Sequence, residues 1–90
     1  MAKAVVDPDE LRRFATDLKR FNSQLDQQMR QLHGRLNALS QTWRDQEQAK
    51  FAEEFEETMR VLSRFVASSD THIPFLLRKA ERAEEYLRQR

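Results

Sequence analysis

The sequence predicts an all-α protein, an antiparallel helix-turn-helix hairpin expected to dimerise into a four-helix bundle. Three observations predict it. The 90 residues hold one Gly and two Pro, too few turn formers for a sheet protein of this length. Two long stretches repeat apolar residues at steps of three and four, the mark of helices with one apolar stripe. Between Trp43 and Ala52 the repeat jumps nine residues, which at about 100° per residue turns the stripe by roughly 180°. A continuous rod would bury its halves on opposite sides, whereas a reversal brings them face to face.

A single domain over 1–90 is expected, with helix 1 at about 8–41, a bend at about 42–46 and helix 2 at about 47–88. Helix 1 has a clear start in "DPDE". Asp7 is placed to accept a backbone N–H as N-cap, and Glu10 lies three residues later. Pro8 takes the first helical position, where its missing donor costs nothing. The apolar seam then reads Leu11, Phe14, Leu18, Phe21, Leu25, Met29, Leu32, Leu36, Leu39 and Trp43, with one stutter at Phe21–Leu25–Met29. Gly34 interrupts it at about 1 kcal/mol against Ala, as a local irregularity or as a place where a neighbouring helix comes close.

The bend has two ways to cap helix 2, Thr42 with Asp45 or Asp45 with Gln48. Helix 2 carries a regular seam from Ala52 through Phe55, Met59, Leu62, Val66, Ser69, Ile73, Leu76, Ala80 and Ala83 to Leu87. Pro74 lies inside it, and because the seam keeps phase on both sides we expect one helix with a kink near Pro74. Phe51, Phe65, Tyr86 and Leu77 flank this seam, so the stripe is too wide for one partner helix. Each large apolar side chain left in water forfeits roughly 1.5–3 kcal/mol, which favours a second hairpin as cover. The expected packing face is Phe51, Phe55, Met59, Leu62, Phe65, Val66, Ile73 and Leu76. The partner is the chain itself or a related helical hairpin.

Other function classes find little footing. Sixteen basic and 15 acidic residues are interleaved, unlike the single basic stripe of a nucleic-acid binder. No stretch is apolar enough to insert into a membrane or to serve as a cleavable N-terminal signal. Cysteine is absent, and neither His33 nor His72 has a Glu three residues before it, as a bundle metal site would want. No catalytic, metal or cofactor-binding residues are expected, and the chain does not read as an enzyme. "EEFEE" and "ERAEE" are polar helix faces, and Arg88 and Arg90 suit the negative end of helix 2.

The opening "VVDPDELRRFA", a Trp at the turn and Phe51 eight residues after it resemble the WXG family, the small ESAT-like helical hairpins of type VII secretion. The resemblance spans nearly the whole chain. It implies a Trp-x-Gly bend, pairing as homodimers or heterodimers, contact with the secretion machinery, and a secreted or cell-surface location. The bend motif falls on Trp43, Arg44 and Asp45, with Asp in place of Gly. Tyr86 stands where many members carry the Tyr of a C-terminal Tyr-x-x-x-Asp/Glu export signal, but the fourth residue after it is Arg90. The chain thus resembles a secretion substrate or an adaptor for one. Two alternatives are a cytoplasmic coiled-coil adaptor or export chaperone, and a needle-like hairpin that forms filaments.

Overall fold

The computed structural model describes residues 6–89, and Arg90 and the first five residues lie outside it. Two helices make up the described chain, α1 (Pro8–Leu39) and α2 (Gln46–Arg88), joined in one hairpin. The molecule is a rod of 67 × 19 × 15 Å.

Both helix starts are set by aspartate. The Asp7 carboxylate accepts from the backbone N–H of Asp9 at 2.9 Å and of Glu10 at 3.4 Å. Asp45 accepts from Gln48 N–H at 2.9 Å, so the second of the two candidate caps is the one used. Thr42 instead turns its hydroxyl back to the Leu39 carbonyl. The end of α1 falls at Leu39, short of residue 41, because the chain tightens there. Ser40 donates its hydroxyl to the Asn37 carbonyl, and Gln41 N–H and Thr42 N–H bond three residues back rather than four.

Position 45 explains why this bend works without glycine. Asp45 has φ −84° and ψ −175°, extended backbone that any residue adopts, so the left-handed freedom of Gly is not called on. An aspartate there adds a cap that Gly could not supply. At the other irregular position, α2 runs through Pro74 as one helix.

The inward face of α1 differs from the expected seam. Its buried residues are Pro8, Ala15, Asn22, Met29 and Leu36, spaced by sevens with no stutter. Phe14 and Phe21, expected in the seam, are 56% and 50% exposed, Leu32 and Leu39 further along it are exposed as well, and the neighbours of the two rings, Ala15 and Asn22, are 1% and 3% exposed. The reason is steric: where two helix axes approach closely, a small side chain fits and a phenyl ring does not. On α2 the expected seam is the inward one as far as Ala83, with Ala80 and Ser69 buried and Ala52, Phe55, Met59, Leu62, Val66, Ile73, Leu76 and Ala83 half-buried, while its last member, Leu87, is exposed. No large side chain among the described residues is fully buried.

Gly34 does not mark a close approach within the hairpin, since a Cβ there would meet nothing within 4 Å. Its helical position therefore carries the cost of glycine with no compensating contact. Gly34→Ala is expected to stabilise the hairpin by about 0.5–1 kcal/mol, read as a rise in thermal midpoint. A fall would mean that something packs on that bare backbone.

A candidate partner-docking face

Heptad positions sort the side chains that flank the inter-helix contact. Let a be Pro8 in α1 and Ala52 in α2. In an antiparallel pair the e positions of the two helices then share one edge and the g positions share the other. The contacts agree. Arg12 donates to Glu84 and His33 meets Glu56 at 2.7 Å, all four at e. Asn22, at a, donates to Asp70, at e, over 3.0 Å. Phe21 and Phe65, both at g, make an edge-to-face pair with centroids 6.3 Å apart.

The two edges thus have opposite character. The e edge is stapled by polar pairs along its length. The g edge carries Phe14, Phe21, Phe51, Phe65 and Tyr86, all exposed, interrupted by Gln28, Arg35, Thr58, His72 and Lys79. Val61 and Phe75, one step further round α2, are also exposed and widen this side. Leu77 lies at e and does not share it. Of the residues expected on the packing face, Phe51 and Phe65 form the open edge, while Phe55, Met59, Leu62, Val66, Ile73 and Leu76 are half-buried in the seam against α1.

Sequence reasoning missed Phe14, Phe21, Val61 and Phe75 as members of the open side. The signal was available for the first two: each precedes a small or polar residue that recurs at seven-residue spacing in α1.

At the bend the aromatic side is continuous. Trp43 is half-buried and stacks at a tilt on Phe51, centroids 6.0 Å apart, and Phe51 continues to Phe55 at 6.1 Å. The His33 ring lies 6.2 Å from Phe55. A groove of about 240 Å³ opens here between Leu32, Leu36, Leu39, Phe51 and Phe55. Its walls are almost wholly carbon, so what it can do chemically is bury apolar surface of a partner.

The far end is held by charge. The hydrogen bond from Arg12 holds the Glu84 carboxyl below the usual glutamate range, and the same bond raises the guanidinium of Arg12. A carboxyl with a depressed folded-state pKa contributes stability above its unfolded value and loses it as pH falls through the folded one. The thermal midpoint of the parent chain should therefore exceed that of Glu84→Gln at neutral pH, with the gap closing under acid. A gap that persisted unchanged at pH 2 would refute the ion pair. Tyr86, the candidate export-signal position, is 66% exposed near the end of α2.

No three His, Cys, Asp or Glu side chains among the described residues converge as metal ligands. Among them too, no helix is long and apolar enough to cross a membrane.

Comparison with known proteins places this geometry. The profile of the WXG100 family, proteins of 100 residues with WXG, matches residues 4–86. The solved structures most similar in fold include the secreted protein EsxB of Bacillus anthracis. A point variant of it superposes with a TM-score of 0.80 at 28% identity, over 94% of this chain and 96% of that one. Wild-type EsxB gives 0.76 at 27% identity, over 93% and 97%. A comparison of the sequence with curated proteins gives no significant match.

Proposed function

Because the chain belongs to the WXG100 family, we propose that it acts by pairing, two hairpins joining through their g edges into a four-helix bundle that serves type VII secretion as substrate or adaptor. The observation that carries this reading is the one-sided aromatic edge. The chain exposes 7173 Å², against roughly 5,500 Å² for a compact monomer of its mass. A standard interface hides about 800 Å² per partner, so a surface is there to be covered.

One-sidedness also speaks to the kind of assembly. A single self-complementary edge is used up by one pairing about a twofold axis, giving a closed dimer. A filament subunit needs two different faces, and the e edge offers polar pairs already made within the hairpin. That favours the dimer over the needle-like alternative. EsxB is a secreted protein, and by that likeness we propose that this chain too is exported.

The test is the solution mass of the purified chain across a concentration series, by sedimentation, with circular dichroism on the same sample. A helical species at twice the chain mass supports self-pairing. A misfolded or aggregating chain, rescued on co-expression with a related hairpin, would point to a heterodimer. A well-folded monomer at high concentration would sink the four-helix reading.

A further inference from the structure

The first half of α1 has two ways to pack on α2, and the one observed hides the smaller side chains. Ala15 and Asn22, at a, point inward, while Phe14 and Phe21, at g, stand half in water. The buried side chains of α2 in this stretch are small as well, Ser69 beside Asp70 and Ala80 one turn before Glu84. Small therefore faces small. Asn22 donates to Asp70, but its Oδ1 is closed off from solvent without a donor, which costs free energy. Next to it a polar groove of about 550 Å³, lined among others by Lys19, Asn22, Asp26 and Asp70, parts the helices on the e edge.

Rolling this half of α1 by about 50°, half the angle between successive residues, turns d and g inward in place of a and d. Phe14 and Phe21 then lie over Ser69 and Ala80, large against small. Asn22 moves to the rim of the groove, where water reaches its Oδ1. The second half stays as it is, because its g positions are Gln28 and Arg35 and its inward ones Met29 and Leu36. The doubled four-residue step at Phe21–Leu25–Met29 takes up the change of phase within a continuous helix. Two terms oppose the roll. The rings need wider helix spacing than Ala15 and Ala80 now allow. Arg12, at e, swings away from Glu84, to which it donates in the packing observed.

We propose that the first half of α1 is a two-position element. Its open position, the one observed, presents Phe14 and Phe21 to a partner hairpin, and its rolled position withdraws them against α2. The Arg12–Glu84 bond favours the open position, and partner binding selects it. The rolled position keeps an aromatic edge out of water until a partner arrives. Removing Phe21 takes away half the gain of rolling, so variants without it stay open. The use of the open position rests on the pairing reading, whereas the roll itself does not.

The experiment is thiol labelling of the full chain, which has no cysteine of its own. Ala15→Cys reports the roll, because position 15 leaves the contact. Ala80→Cys is the control, because α2 does not turn. Each is treated with iodoacetamide in the parent, Arg12→Ala and Asn22→Leu backgrounds, with sedimentation and circular dichroism on the same samples. Arg12→Ala should speed labelling at position 15 by about two- to fivefold, the worth of a partly exposed ion pair. Asn22→Leu removes the orphaned acceptor and should slow it by about tenfold. Position 80 should stay protected in all three. Dimer Kd should follow the labelling, weaker in Arg12→Ala and tighter in Asn22→Leu, although neither residue lies on the g edge. Labelling at position 15 that ignores both substitutions overturns the proposal. So does labelling that rises at 15 and 80 together, which is the mark of fraying. A parent chain that sediments as a monomer defeats the pairing reading, and the labelling still decides the roll.

Discussion

Replacing Phe21 and Phe65 together by Ala is expected to leave a helical monomer at concentrations where the parent chain sediments as a dimer. The two rings touch each other across the g edge and remain half-exposed, 50% and 46%. Their contact with one another therefore leaves much of each ring free for a second hairpin. Burying a phenyl side chain fully is worth about 1.5–3 kcal/mol, and half of it about half that. A twofold dimer counts each residue twice, so four half-rings contribute about 3–6 kcal/mol, or roughly a hundred- to ten-thousandfold in the dimer Kd. The helices themselves do not depend on these rings, because the seam runs through Ala15, Asn22, Met29 and Leu36. Helicity retained with the dimer lost is the expected result. An unchanged sedimentation profile would place the interface elsewhere.

The second large effect is expected on the inward side of the hairpin. Ala15 and Ala80 are the most deeply buried side chains, 1% and 0% exposed. They sit near the level of the Arg12–Glu84 bond, where the helices are held together. Ala80→Leu forces three extra carbons into a contact with no room for them, at about 1–3 kcal/mol. For a chain of this size that is about 4–8 °C of thermal midpoint per kcal/mol. The measurement is best made in the Phe21→Ala, Phe65→Ala background, where dimerisation does not add to stability. Phe14→Ala in the same background is the control, since Phe14 adjoins Ala15 but faces outward. A large loss from Phe14→Ala with little from Ala80→Leu would reverse the assignment of inside and outside.

Those substitutions mark where sequence reading ran out. Apolar residues in α1 occupy a, d and g positions, a stripe broad enough to be divided in two ways. The early residues Leu11, Phe14, Leu18 and Phe21 trace d and g, whereas Met29, Leu32, Leu36 and Leu39 trace a and d. Joining the two series produces the stutter that the structure does not contain. Period alone cannot choose between them, because both repeat every seven residues. On α2 the ambiguity does not arise: the a and d positions carry the unbroken series, and g adds only Phe51, Phe65 and Tyr86.

Other features were readable because their causes are local. The Asp7 cap with Pro8 behind it, the Asp45 cap and the reversal between Trp43 and Ala52 each depend on a few adjacent residues or on helical phase. The departure from Trp-x-Gly at Asp45 was visible too, and only its backbone angles showed that no left-handed residue is needed there. The polar groove around Asn22 was not legible at all. Its residues come from both helices, and Asn22 falls outside the apolar pattern of α1.

The sequence by itself determined that this chain is two capped helices folded into a hairpin with more apolar surface than a hairpin can hide. Helix length, caps and phase are set by neighbours along the chain, so they survive being read in one dimension. Which side faces inward was decided by the tertiary structure alone. Close approach of two helices selects small side chains at the contact and turns the large ones out, and that selection is made in three dimensions by the partner helix.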